Sequence, residues 1–254
     1  MKKQTISIVL ATFNEEKYLE ECLLSVKEIA DEIVIVDGTS SDKTVMIAKK
    51  YGAKVLIKDN PPIFHINKQK AIDMATKDWI FQLDADERVT KLLAEEILQK
   101  IHQDNSINGY WIPRKNWFLG RYLMKGGVYP DYTLRLYRNG KGRLPMKDVH
   151  EQAIVEGEVA YLQEPLLHMA DPYFSRYLIR FNRYTSLIAT ELRKKHIGKN
   201  PIVFIKYMFA LPVWWFLLVY IRHKGFMDLW QGFVFAFFSA LRFPVAYVKY
   251  MHEK

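Results

Sequence analysis

Ile80-Phe81-Gln82-Leu83-Asp84-Ala85-Asp86-Glu87-Arg88 is the stretch that decides how this chain folds. An apolar run stops abruptly in acid. The run reads as a buried strand, and Asp84 and Asp86 lie one residue apart at its carboxyl end. Open α/β sheets bind ligands at that edge. Carboxylate oxygens there suit a hard divalent cation, Mg2+ or Mn2+, which shares its shell with substrate phosphates. Alone, an Asp-x-Asp is more often a solvated turn, because short motifs match by chance. Its company along the chain changes that balance.

Upstream, strand and helix signals alternate. Ile6–Ala11 is a continuous apolar run, the mark of a strand covered on both faces. Asn14 offers an N-cap, with Glu15 and Glu16 in the first turn. Leu19, Cys22, Leu23 and Val26 follow at helical spacing. Glu32–Val36 reads as a second strand, and Asp37-Gly38-Thr39-Ser40-Ser41-Asp42 as a turn ending in a cap. The next helix stops at Gly52. Ala53–Ile57 is a third strand, a helix covers 67–76, and Asp78–Leu83 is the fourth strand. Thr90 caps a helix through Ile101. This order predicts a mostly parallel sheet with helices on both faces. Right-handed crossovers then bring the loops after strands one, two and four to one rim.

Downstream of Gly109 aromatic and basic residues alternate, and Asn139-Gly140 marks a hairpin. An antiparallel extension of the sheet is expected. Phe174 to His196 reads as a helix ended by Gly198. Residues 201–251 are apolar, with Pro212 inside an uncharged run. A span needs about twenty apolar residues. Trp214, Trp215 and Trp230, with nearby Lys and Arg, suit the headgroup level. An interfacial hairpin, a pair packed on the protein or on a second copy, and a true span all remain open.

The chain has 254 residues, half of them apolar, enough for a full core. Cys22 is its only cysteine, so no intrachain disulfide forms, which fits a reducing compartment. The N-terminal apolar segment is too short for a secretory signal. Charge is uneven: residues 1–130 carry 19 Lys and Arg against 18 Asp and Glu, while 131–254 carry 18 against 10. The basic half suits an anionic membrane surface or phosphorylated substrates.

Ser7–Glu15, Ile35–Thr44 and Trp79–Glu87 together resemble glycosyltransferase family 2. Arg135-Leu136-Tyr137-Arg138, Val149-His150-Glu151 and the apolar tail look like its lipopolysaccharide-core branch. The resemblance implies a GT-A fold, a hexosyltransferase-like activity, a metal-dependent nucleotide-sugar donor and inversion. It sets Thr12, Asn14 and Asp37 around the nucleoside and Asp84 near the ribose or donor sugar. Asp86 becomes the metal ligand, with Asp84 and His168 as further candidates. Many members carry two adjacent acids after strand two, whereas this chain has Gly38 in second place. Lys70 is a candidate contact to the donor. Arg135 and Arg138 face opposite ways on a strand, and Arg135 is the one expected at the cleft. Glu151 is the expected acceptor base, with Asp131 and His150 as alternatives.

On this reading residues 1–108 form the nucleotide-sugar-binding half. Residues 109–200 form the acceptor-side half, and 201–254 an apolar helical tail. The expected partners are a nucleotide-sugar, a glycan or lipid-linked acceptor and a membrane surface, with an oligomer through the tail also open. The expected location is cytoplasmic, peripheral to the inner face of the cell membrane. Two other classes compete. A nucleotidyltransferase would carry a Gly-rich phosphate loop after strand one, where this chain has Thr12-Phe13-Asn14-Glu15-Glu16. A non-catalytic membrane adaptor would not need Asp37, Asp84, Asp86 and Glu151 together. Nucleic acid is not an expected partner, since no recognition motif appears.

Overall fold

The computed structural model describes residues 3–61, 63–103, 106–145 and 152–252. The chain divides into two compact units, Met1–Arg114 with Asp131–His168, and Lys115–Pro130 with Met169–Lys254.

The first unit opens with β1 (Ile6–Thr12), α1 (Leu19–Val26), β2 (Glu32–Asp37), α2 (Thr44–Lys50) and β3 (Lys54–Ile57). It continues through α3 (His65–Asp73), β4 (Trp79–Gln82), β5 (Glu87–Val89) and α4 (Lys91–Ile101). β1 pairs in parallel with β2 and β4, and β2 with β3. Ile8, Val9, Leu10, Val34, Val36 and Phe81 are all buried. Helices cover both faces, so these strands read as continuous apolar runs rather than alternating ones. Four parallel strands therefore deliver their carboxyl-end loops to one rim.

The antiparallel extension uses β6 (Ile107–Phe118), β7 (Arg121–Tyr122), β8 (Asp131–Arg138), β9 (Gly142–Arg143), β10 (Ile154–Val155), β11 (Glu158–Tyr161) and β12 (Leu166–Asp171). β8 lies antiparallel to both β4 and β6. β12 lies antiparallel to β5, bringing His168 opposite Glu87. The strand order is β3-β2-β1-β4-β8-β6-β12-β5, with β7 and β11 on β6. The expected α/β architecture is therefore present.

Local details differ from the sequence reading. Asn14 does not cap α1, which begins five residues later. It takes a left-handed φ of 54°, and its Oδ1 accepts from Ser41 N–H at 2.9 Å. Asn139-Gly140 does turn, with Gly140 at φ 77°, but β9 beyond it pairs with β10 in a separate small sheet. Thr90 caps α4 as expected, its hydroxyl accepting from Leu93 N–H at 3.1 Å.

At the amino end of β2, the Glu32 carboxylate is buried. It accepts from Lys54 at 2.6 Å, Thr76 N–H at 2.8 Å and Thr76 Oγ1 at 3.0 Å, and also from the Ser7 hydroxyl. Burial raises its pKa, but these donors outweigh burial and lower it to about 2. A folded pKa below the unfolded one stabilises above the unfolded value, and that contribution fades as pH falls toward the folded value. Glu32→Gln should thus cost about 1–3 kcal/mol at pH 7. Urea melts should show that deficit shrinking by more than half at pH 3. A deficit unchanged with pH would mean the carboxylate charge contributes nothing.

The second unit is helical. α5 (Phe174–Lys194) ends with His196 at φ 48°, so His196 rather than Gly198 takes the left-handed stop. α6 (Pro201–Ile205) runs through a wide π turn at Lys206–Ala210 into α7 (Leu211–Leu217) and a second π turn at Leu218–Arg222. Pro212 lies in the first turn of α7, just after the first π turn. A proline lacks an N–H and clashes with the preceding turn, so a local widening accommodates it. A short 3-10 turn at Gly225–Asp228 leads to α8 (Leu229–His252). Pro201–Arg222 and Gly225–His252 are long and apolar enough to cross a membrane by length and composition.

α8 packs along α5, where Tyr177 and Phe181 each meet Phe238 with ring centroids 5.6 Å apart. Lys249 Nζ donates to Asn182 O, Thr185 Oγ1 and Ser186 Oγ of α5 at 2.8–2.9 Å. Where the hairpin turns, a Cβ on Gly232 would lie 1.9 Å from the Gly225 carbonyl oxygen.

Candidate active site

The rim is built from the loops after β1, β2 and β4. The first two are tied together. Asp37 is buried, and its carboxylate accepts from Thr12 Oγ1 at 2.8 Å, Ser40 N–H at 2.8 Å and Ser40 Oγ at 2.7 Å. Gly38 N–H donates to Thr12 O at 2.8 Å. Asn14 N–H donates to Ser40 Oγ at 2.8 Å. Thr12, Asn14 and Asp37 are thus brought together, with Asp37 bracing the other two loop segments. A Cβ on Gly38 would come within 2.9 Å of Asn60 Cβ. The place of a second acid is therefore filled by the close approach of Asn60.

The loop after β4 is pinned by its own backbone and by Arg88. Glu87 N–H donates to Asp84 O at 3.0 Å, and Arg88 Nη1 donates to the Ala85 and Glu87 carbonyls at 2.8 Å. Cys22 lies beneath it in the core, its thiol 3.4 Å from Asp84 O, and burial pushes that thiol's pKa far up.

Behind the loop sits a charge cluster. Asp84 pairs with Lys68 through Oδ1 and with Arg135 through Oδ2, the latter at 2.7 Å. Glu87 is fully buried, accepting from Arg135 at 3.1 Å and Arg114 at 3.4 Å through Oε1, and from Asp84 N–H at 2.9 Å through Oε2. Arg114 also donates to Asp131 Oδ2 from Nε at 3.0 Å and from Nη2 at 2.8 Å. Burial raises the Asp84 pKa, but Arg135 and Lys68 outweigh it and hold the carboxyl well below its usual range. Burial lowers the Lys68 pKa, and Asp84 only partly offsets this.

Lys70 and Asp84 have surroundings that differ from the sequence expectation, and two further candidates lie outside the described residues. Lys70 donates to Asn67 Oδ1 at 3.2 Å, whereas Lys68 is the lysine that reaches Asp84. Lys68 lies three and four residues before Ala71 and Ile72 and shares their buried face of α3. Asp84, expected as a metal ligand, has both oxygens engaged by cations, surroundings that repel a second positive charge. Glu151 and His150 lie outside the described residues.

Arg135 and Arg138 do face opposite ways. Arg138 lies over the Trp79 ring, 4.8 Å from its centroid, and donates to Ile107 O at 3.1 Å. Glu87, Arg114 and Lys68 were not singled out from sequence. For Lys68 the signal was its spacing to Ala71 and Ile72.

Asp86 and His168 face each other, with Oδ2 and Nε2 3.5 Å apart. Two ligands at this separation can share one cation with bonds of about 2.1 Å. A carboxylate with an imidazole suits Mn2+ better than Mg2+. Among the described residues no group of three or more His, Cys, Asp or Glu is gathered to hold a metal. The pair therefore fits a cation completed by donor phosphates and water, not a closed protein cage.

Comparison with known proteins shows the family and the fold. Residues 7–166 match the model of Glycosyl transferase family 2. The chain is similar to the lipopolysaccharide core biosynthesis glycosyltransferase LpsC of Rhizobium meliloti, with 31% identity over 94% of this chain and 92% of the relative. It is also similar to an uncharacterized glycosyltransferase of Rickettsia bellii, with 29% identity over 93% of this chain and 84% of the relative. Among solved structures, a mannosyltransferase from Pyrobaculum calidifontis in complex with GDP-Man and Mn2+ superposes with a TM-score of 0.58. It covers 100% of this chain and 89% of that one at 13% identity, a likeness of GT-A fold.

Proposed function

Because this chain belongs to glycosyl transferase family 2 and is a glycosyltransferase, we propose that it moves a sugar from a nucleotide-sugar to an envelope glycan or lipid-linked acceptor. The transfer inverts the anomeric carbon and uses a divalent cation. One observation carries this reading: Asp86 and His168 face each other at 3.5 Å beside the loop that follows a parallel strand. At such a rim helices and loops meet phosphorylated ligands. The acceptor class rests on the relative named for lipopolysaccharide core biosynthesis.

We assign residues 1–108 to the donor and 109–200 to the acceptor side. Thr12, Asn14 and Asp37 border the nucleoside. Asp84, held in place by Lys68 and Arg135, meets the ribose or donor sugar, and Arg135 and Lys70 are further contacts to the donor. Asp86 and His168 would hold Mn2+ or Mg2+. Bound there, the ion would act as a Lewis acid toward the charge on the leaving diphosphate. The acceptor oxygen bonds to the anomeric carbon as the bond to the diphosphate breaks on the opposite face. Its proton passes to a carboxylate. Glu151 is our assignment for that base. Asp131, with its side chain 35% exposed and oriented by Arg114, is the second candidate. The protein works in the cytoplasm at the inner face of the cell membrane.

A screen of nucleotide-sugars for thermal stabilisation tests this reading, since a ligand that binds only the folded state raises Tm. One donor with Mn2+ should raise Tm, by a few degrees at a hundredfold excess over Kd. EDTA should abolish the shift. No shift with any donor would count against donor binding, and a shift indifferent to EDTA against the cation.

A further inference from the structure

We propose that the hairpin of α6, α7 and α8 docks side-on into one leaflet of an anionic phospholipid surface and does not cross it. This rests on the membrane location given above and specifies how it is achieved. Three observations within the second unit carry it.

The first is an apolar stripe. Ile202, Ile205, Phe209, Val213, Leu217 and Ile221 are all exposed, and they recur every three or four residues. On a straight α-helix a four-residue spacing drifts round the axis by about 40° per step. The two π turns widen the local repeat and so offset that drift. By this geometry the stripe keeps to one side of the Pro201–Arg222 helix. α8 adds exposed Trp230, Phe233 and Phe237. Phe233 meets Phe216 and Tyr220 with centroids 5.8 Å apart, so the two helices present a continuous apolar face.

The second is charge. Residues 201–252 carry five Lys and Arg against one acid, Asp228, which is buried. Lys206, Arg222 and Lys224 are exposed on the same hairpin. A basic margin round an apolar face complements anionic headgroups, and such helices sit about 5–10 Å deep in the interface.

The third observation separates lying on a membrane from spanning it. A spanning hairpin puts its tip in water on the far side. Here the tip is staked to polar backbone of the same unit. Asp228 accepts from Met124 N–H at 3.0 Å and Lys125 N–H at 2.7 Å, and Arg121 reaches it at 3.5 Å. Gly126 N–H donates to His223 O at 2.9 Å. The opposite end is held as firmly, by Lys249 on α5 and by the Tyr250 hydroxyl on Ile197 O. With both ends fastened, only the long side of the hairpin can meet lipid.

The test uses the full chain carrying one added cysteine, since the buried Cys22 thiol resists labelling. In membrane vesicles from expressing cells, Lys224→Cys should react with an impermeant maleimide in inverted vesicles and stay unlabelled in sealed right-side-out ones. Labelling from the outer side would overturn the proposal, because the tip would then have crossed. On purified protein, phosphatidylglycerol vesicles should slow Val213→Cys labelling at least tenfold. An unchanged rate would also overturn it, whether a second copy or nothing covers the stripe. Phe209→Glu with Val213→Glu should lose vesicle binding tenfold or more yet keep the donor-induced Tm shift. That shift reports the transferase reading separately.

Discussion

Asp86→Asn should lower donor turnover by about a hundred- to a thousandfold while the protein stays folded. Asn keeps the shape of the side chain and removes its charge. Asp86 and His168 are the two side chains we assign to the cation, and an amide oxygen holds a divalent ion far less well than a carboxylate. The Mn2+-dependent Tm shift with the donor should vanish, and the Tm without ligand should hardly move. Asp84→Asn should behave differently. It removes the negative partner of buried Lys68 and Arg135, so its first effect is on the fold. An Asp86→Asn enzyme with full turnover and an intact Mn2+ response would remove Asp86 from the cation site.

Arg135→Met should destabilise by about 3–5 kcal/mol, the usual cost of leaving a buried charge without its partner. Met keeps much of the side chain's volume, so packing is not the main loss. Of their cationic partners Asp84 would retain only Lys68 and Glu87 only Arg114 at 3.4 Å, with the Asp84 N–H still on Glu87. For a protein of this size the loss corresponds to a fall in Tm of roughly 10 °C. The pH response gives a second readout. Asp84 titrates below its ordinary range when folded. Its pairing therefore stabilises above the unfolded pKa and is lost as pH falls through the folded one. The wild-type protein should weaken more steeply below about pH 4 than the Arg135→Met variant. Arg138→Met is the control, since Arg138 lies over Trp79 on the other face. Equal losses in the two variants would show that the cluster behind Asp84 contributes no more than a ring contact.

Sequence made the parallel half legible because strands covered on both faces must be apolar throughout. Ile6–Thr12, Glu32–Asp37 and Trp79–Gln82 announce themselves that way. The opposed directions of Arg135 and Arg138 follow from the two-residue period of a strand. Lys68 was missed because lysine is ordinarily solvated, although its spacing to Ala71 and Ile72 sets it on the buried face of α3. Glu87 and Arg114 were missed for another reason. Their contact joins residues 27 apart across separate strands, and neither local spacing nor propensity reports such a meeting. Asn14 was read as a cap because Asn favours both caps and left-handed turns. Only its distance from Leu19 distinguishes the two.

Gly232 leaves no space for so much as a methyl group, because the Gly225 carbonyl oxygen is already there. The hairpin thus separates what must be inherited unaltered from what is free to vary. Its greasy outer residues can exchange among Ile, Leu, Val and Phe over generations without disturbing the bend. A single atom added at position 232 would pry the bend open, and one at position 225 would press on the Val219 carbonyl oxygen at 2.8 Å, so the bend holds two closed positions beside a permissive outer face.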